Sequence, residues 1–222
     1  SDLVFVAAAC LSGCATQVPR AQASAGTANA VAAPAAGSAT REVVTELGVL
    51  YENYFEDLLR LVPSLGTWLG DERYNDRLEN TASLAFVEQY AALNRRYLDL
   101  VQRIDPSALT GSDRISYDVF VRERELVLAE QRFPGHLLPI DQMDSLASTF
   151  ALFGSGAAAQ PFRNAEDYDR FITRSRDFVV WADTAIESMR EGMRRGVTQP
   201  RAVILKVVPQ LRELANPDAE KT

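Results

Sequence analysis

From Arg41 onward the apolar residues of this chain recur at a period near 3.6 and nowhere alternate in twos, and that property decides what it can fold into. Val43, Val44, Leu47, Leu50, Tyr51, Tyr54, Phe55, Leu58 and Leu59 share one helical face, which Pro63 ends. A loop rich in Gly, Asp, Asn and Arg follows as far as Asn80. Phe86, Val87, Tyr90, Leu93, Tyr97, Leu98, Val101 and Ile104 predict a second helix that stops before Asp105-Pro106. A third starts near Ser112-Asp113, whose side chains suit an N-cap, and runs to about Arg132, its stripe interrupted by Glu123, Arg124 and Glu125.

Phe133-Pro134-Gly135-His136 breaks the chain, and a shorter helix is expected from about Gln142 to Phe153, ending at Gly154-Ser155-Gly156. The longest pattern comes next. Asn164 is the expected N-cap, Asp167 falls in the first turn, and Tyr168, Phe171, Ile172, Ser175, Phe178, Val179, Ala182, Ile186, Met189 and Met193 mark the inner face. A last helix opens at Thr198-Gln199-Pro200 with Val203, Ile204, Val207, Val208, Leu211 and Leu214 as its apolar side, and Pro209 is expected to kink it. Hairpin signals such as Asn-Gly or Asp-Gly between alternating runs are missing. The expected fold is all-α, an irregular bundle of about six helices.

The first 40 residues are of another kind. Leu3 to Leu11 is an apolar run too short for a bilayer span, which needs about 20 residues, but suited to the core of a secretory signal. It leads into Leu11-Ser12-Gly13-Cys14, which resembles the bacterial lipobox, where small residues precede the cysteine that is acylated after cleavage. Cys14 is therefore the expected lipid-attachment residue and Cys10 leaves with the signal. Ala15 stands where an aspartate would resemble an inner-membrane retention signal, so the expected location is the bacterial cell envelope, at the outer membrane facing the periplasm. Residues 15–40 are rich in Ala, with Pro, Gly, Ser and Thr and no aromatic, a composition that cannot bury enough apolar surface to offset its ordering entropy. As a tether they would reach about 30 Å. The expected layout is a truncated signal in 1–14, a linker in 15–40 and a helical domain in 41–222. The chain opens on Ser1 inside an apolar run and stops soon after an apolar helix, so it reads as the front part of a larger protein.

Polar chemistry is sparse. The net charge of −7 argues against a nucleic-acid partner, which would call for a basic face. His136 is the only histidine. Its Pro134-Gly135-His136 resembles the Pro-Gly-His that follows the first zinc ligand in some metallopeptidases, but no His-Glu pair precedes it and zinc needs three or four ligands. Gly66, Gly70, Asp71, Arg73, Tyr74 and Asp76 form a compact polar cluster that reads first as a stapled loop and second as part of a binding cleft. Phosphate loops, a Rossmann glycine pattern and a serine nucleophile with recognisable partners are missing.

Together these loops carry a resemblance. Pro63-x-x-Gly66-x-x-x-Gly70-x-x-Arg73-Tyr74-x-Asp76, Asp113 to Asp118, Phe133 to Gln142, Pro161-Phe162-Arg163 with Asp167-Tyr168, and Gly192 to Arg201 are similar, in order, to the N-terminal half of the bacterial domain-of-unknown-function 885 family. The match runs from about Tyr51 to Leu214. It implies a mainly helical, cleft-type fold like that of a gluzincin zinc metallopeptidase, often carried on an envelope lipoprotein. It also implies a zinc-bound water as nucleophile, a glutamate as general base and a peptide substrate. The implied zinc ligands belong to the family's C-terminal half and have no counterpart in this sequence, so no catalytic or metal residue and no cofactor is assigned here. What the resemblance leaves to this chain is one wall of the cleft, with Arg73, Tyr74, Asp76, His136, Asp141 and Gln142 as candidate lining residues. The alternative is a non-catalytic helical envelope lipoprotein that serves as a binding or scaffold module.

Overall fold

The structure, a computed structural model, describes residues 36–143 and 145–215, with side chains from Arg41. Cys14, the signal and residues 15–35 of the linker lie outside the described residues. All regular structure among the described residues is helical: seven α-helices and three single-turn 3₁₀ helices, without a strand. The all-α expectation holds.

Helix α1 spans Ala36–Leu61, starting ahead of the boundary expected at Arg41. Pro63 does end it, but takes the first position of a new short helix, α2 (Pro63–Trp68), where the sequence had suggested loop. Proline suits that place because the amide it lacks would have no intrahelical partner there. Helix α3 is Leu84–Val101, capped by the Ser83 hydroxyl, which accepts the amide of Phe86 at 3.1 Å. Helix α4 is Gly111–Glu130 and begins one residue before Ser112-Asp113. Thr110 is its N-cap without a side-chain bond, and Asp113 sits in the first turn instead. Helices α1, α3 and α4 pack together around Leu50, Tyr54, Leu58, Tyr90, Tyr97, Val101 and Phe120. Tyr54 is the hinge of that core, edge-on to both Tyr97 and Phe120 with ring centroids 5.2 Å away in each case.

The second half is organised by one long element. Helix α5 (Leu146–Gly154) is followed by α6 (Ala165–Arg195) and α7 (Arg201–Leu214), with Pro209 inside α7 without ending it. Asn164 caps α6 as expected, its side chain accepting the Asp167 amide at 3.0 Å. The far end closes on Gly196 in the left-handed conformation (φ 71°), while the Val197 amide returns to the Gly192 carbonyl at 2.8 Å. Phe150 of α5 stacks on Phe171 and Phe178 of α6, at 5.2 and 4.1 Å between ring centroids. A small core of Ala82, Ala147, Trp181 and Ala185 lies beside them, with Leu211 of α7 packed against it.

The inner face of α6 differs from the one its apolar pattern suggests. Phe171 and Phe178 are partly covered, but Tyr168, Ile172, Val179, Ile186 and Met193 are exposed. The buried positions are Asp167, Arg174, Trp181, Ala185 and Gly192. The covered face is rotated towards polar residues because of what covers it.

Candidate functional site

Between α2 and α3 the chain has neither strand nor α-helix over residues 72–83, apart from the 3₁₀ turn Glu72–Tyr74. Such a segment cannot pair its own amides and carbonyls in a ladder, so side chains must satisfy them. Helix α6 supplies these side chains at Arg170, Arg174, Asp177, Trp181, Thr184 and Ser188, alternating steps of four and three that keep to one face. Arg170 donates to the carbonyl of Glu72 at 3.0 Å, and Arg174 to those of Tyr74 and Arg77 at 2.8 and 2.9 Å. Asp177 accepts the Leu78 amide at 3.0 Å. Asn80 donates to Thr184 at 2.8 Å, Trp181 to the Thr81 hydroxyl at 3.1 Å, and Ser188 to the Ala82 carbonyl at 2.8 Å. Residues 72–82 thus form a strap that runs along α6 in the helix direction.

Arg174 is the centre of this clamp. It is fully buried, and besides the two carbonyls it reaches Thr67 at 2.7 Å and Gln160 at 2.7 Å. Thr67 passes the chain on to Asn75 at 2.8 Å, so α2, the strap and α6 share one network. All four acceptors of Arg174 are neutral oxygens. Burial without a directly bonded carboxylate pushes its pKa down to about 10, against the pull of Glu79, Asp76 and Asp177 nearby. Glu79, also buried, takes the amide of Ser64 at 3.1 Å and its hydroxyl, and burial raises its pKa despite these bonds.

The six residues expected to line a cleft fall into two groups. Arg73 grips Glu56 of α1 with 2.8 and 2.9 Å bonds and Asp71 at 2.6 Å, and so fastens the strap's start to the first bundle. Both carboxylates are held below their ordinary range, chiefly by the hydrogen bonds from Arg73. Tyr74 is buried, with the guanidinium groups of Arg73 and Arg77 at 5.4 and 5.9 Å from its ring, and Asp76 pairs with Arg77 at 3.7 Å. These three sit at the level of Arg174.

His136, Asp141 and Gln142 belong to the other end of α6. His136 lies in the 3₁₀ turn Gly135–Leu137, whose Leu137 carbonyl would be 3.2 Å from a Cβ at Gly192. That level is about 27 Å from Arg174 along the helix axis. Partial burial, and then the charge of Arg195, push the His136 pKa down. Asp141 accepts the Met143 amide at 2.7 Å, and the Gln142 carbonyl takes the side chain of Gln210 at 3.2 Å. The Gln142 Oε1 is buried with no hydrogen-bond partner among the described residues.

Of the residues that carry most of the geometry, Arg163 lies in a quoted motif, whereas Arg174, Glu79, Glu56 and Arg170 lie in none. The signal was nevertheless present, as a polar stripe of heptad-like spacing beside the apolar one. As for zinc, the donor set does not fit: among the described residues no three of His, Cys, Asp and Glu are grouped so as to hold a metal ion. The one histidine faces an arginine charge. No helix among the described residues is long and apolar enough to cross a membrane.

Comparison with known families agrees with the loop motifs. The profile of the family described as "Bacterial protein of unknown function (DUF885)" matches residues 63–222, more than half of the chain, and the chain belongs to that family. No curated protein and no solved structure gives a significant match.

Proposed function

We propose that this chain, a DUF885 protein, is the non-catalytic helical wall of a lipid-anchored protein of the bacterial envelope, a scaffold that fixes a long helix for chemistry supplied elsewhere. The observation that carries this reading is the strap. Charged side chains in and beside the motif segments are spent on fixing the start of the strap: Arg73 ties it to Glu56 of α1 and to Asp71, while Arg163 and Arg170 reach Glu72 from the start of α6 and are themselves held by Asp167 and Glu166. A loop used in this way is a fixture, and a site needs elements held rigid by packing and hydrogen bonds of this kind. The resemblance that motivates a peptidase, with zinc and a peptide substrate, assigns the reacting groups to residues with no counterpart here. Cys14 would tether the wall to the outer membrane through two acyl chains, which suffice for stable anchoring.

A second reading, a binding module without any enzymatic partner, is favoured by the exposed apolar face of α6. One experiment addresses both location and chemistry. The gene is expressed with its own signal in the presence of labelled palmitate, and the purified chain is assayed for zinc and for peptide hydrolysis. Label that is lost in Cys14→Ala, no stoichiometric zinc and no hydrolysis are expected. A tightly held zinc that disappears in His136→Ala would overturn the reading, as would membrane partition unchanged by Cys14→Ala.

A further inference from the structure

Helix α6 has a second organised face, opposite the one that holds the strap. Ile172, Val179, Ile186 and Met193 recur every seventh residue and are 54%, 59%, 43% and 65% exposed. Ser175, Ala182 and Met189 lie between them at the alternate three-and-four step. This is the a/d seam of a coiled coil, with β-branched residues at three of its four a positions, sustained for about 38 Å from Tyr168 to Met193. Three or more such heptads flanked by charges mark a helix that pairs with another helix.

The flanking charges identify the partner. On one side of the seam stand Asp169, Arg176, Asp183 and Arg190, all exposed and alternating in sign. Among the described residues the first three make no ion pair, and Arg190 meets only Glu187 of its own helix at 2.5 Å. On the other side the matching positions are occupied: Phe171 and Phe178 lie under Phe150, and Ala185 and Gly192 are buried. A parallel pair would have to use both flanks, one from each helix. An antiparallel pair brings like flanks together, and only the free flank is needed for its charge contacts.

We propose that this face docks a second copy of the chain, antiparallel and related by a twofold axis near the middle of α6. In an isologous contact residue i meets j and j meets i. Arg176 then faces the partner's Asp183, and Asp169 faces the partner's Arg190, each pair occurring twice. The same register sets Ile186 against the partner's Ser175 and Val179 against the partner's Ala182, so in the central layers large side chains meet small ones, and in the outer layers Ile172 meets the partner's Met189 and Met193 the partner's Tyr168. A single register thus satisfies both the charges and the volumes of the central layers. The contact uses none of the strap residues and goes beyond the scaffold reading.

The test is sedimentation equilibrium of the full chain across a range of concentrations, with circular dichroism to follow helicity. A concentration-dependent dimer is expected, lost in Ile186→Asp. Arg176→Asp and Asp183→Arg should each weaken it about tenfold, because two symmetry-related pairs become like-charged, and the two exchanges combined should restore it. All these positions are exposed, so each monomer is expected to keep its helical signal. The combined exchange remains informative even where a single variant unfolds. A chain that stays monomeric overturns the proposal and leaves the face to a different occupant. A dimer insensitive to the single reversals, or one not restored by the combined exchange, overturns it equally.

Discussion

Arg174 of α6 donates to the carbonyl of Tyr74 at 2.8 Å across a separation of 100 residues, and with its contacts to Arg77, Thr67 and Gln160 it joins the two halves of the molecule. The first bundle has its own aromatic core and the second has another around Trp181. Between them lie hydrogen bonds from helix side chains to the strap, together with the Trp68–Phe153 ring contact at 5.1 Å and Ala82 packed beside Trp181. The orientation of the halves therefore depends on polar geometry as well as on apolar packing.

Arg174→Met should be among the most damaging substitutions in the chain. Methionine keeps much of the volume but leaves two carbonyls, a hydroxyl and an amide oxygen buried without their donor, at a cost of about 3–5 kcal/mol. Arg174→Lys should cost less but not be neutral, since one ammonium cannot reach four acceptors arranged around a planar fork. Urea denaturation gives the loss, and hydrogen exchange should show the amides of residues 72–82 losing protection first. Unchanged exchange in that segment would mean that the strap is held by something else.

Glu79 makes a prediction with a definite sign. Burial raises its pKa above the ordinary value of 4.5, so the native state holds the proton longer than the unfolded chain does. Between 4.5 and the raised value the unfolded state binds fewer protons, and stability falls as pH rises. Glu79→Gln removes the titration. Its amide can still accept the Ser64 backbone N–H, with the serine hydroxyl turned to accept from the amide nitrogen. The variant should match the wild type below pH 4.5, exceed it increasingly as pH rises to the raised value, and keep a constant advantage above it, as read from urea midpoints. Parallel pH curves for the two proteins would contradict this.

Helix α6 also shows how much of the fold the sequence discloses. Its existence and its Asn164 cap follow from local chemistry, and both appear in the structure, which adds Gly196 as its left-handed stop. Its orientation does not, because hydrophobic periodicity assumes that the covering element is itself apolar. Here the cover is an extended strap whose backbone demands donors and acceptors, so Arg174, Asp177 and Ser188 turn inwards while Ile172 and Val179 face out. In α4 the reason is a different one, although there too Glu123, Arg124 and Glu125 interrupt the apolar stripe. Arg124 is in fact buried, with its guanidinium 4.2 Å from the centroid of the Tyr54 ring and 4.6 Å from that of Phe120. The candidate site was legible to the extent that Arg73, Tyr74 and Asp76 proved to be neighbours. Their distance from His136, Asp141 and Gln142 depends on which level of α6 each loop packs against, near Arg174 or near Gly192, which no motif encodes.

Gly192 and Gly48 form a contrasting pair. A Cβ on Gly192 would lie 2.6 Å from the Val197 carbonyl and 3.2 Å from that of Leu137, backbone atoms that cannot turn aside. Gly192→Ala should cost about 1–3 kcal/mol and loosen the 135–137 turn against α6. Gly48, within α1, has nothing within 4 Å of such an atom. Gly48→Ala should gain up to about 1 kcal/mol from helix propensity alone. Thermal melts should move in opposite directions, by about 2–4 °C per kcal/mol. A shift of the same sign in both would refute the close-approach argument.

The last prediction concerns Arg124 itself. Its Nε is buried with no hydrogen-bond partner among the described residues, and its stabilising contacts are the faces of Tyr54 and Phe120. A cation over an aromatic ring gains about 2 kcal/mol when desolvated, but removing the guanidinium from water costs a comparable amount. The two nearly cancel, so what the side chain contributes is chiefly the packing of its stem. Arg124→Met keeps that packing and should leave stability within about 1 kcal/mol of the wild type. Arg124→Ala leaves a cavity between α1 and α4 and should cost about 2–3 kcal/mol. If both variants lose stability equally, the charge is what matters at this position, and the aromatic faces hold it more strongly than desolvation opposes it.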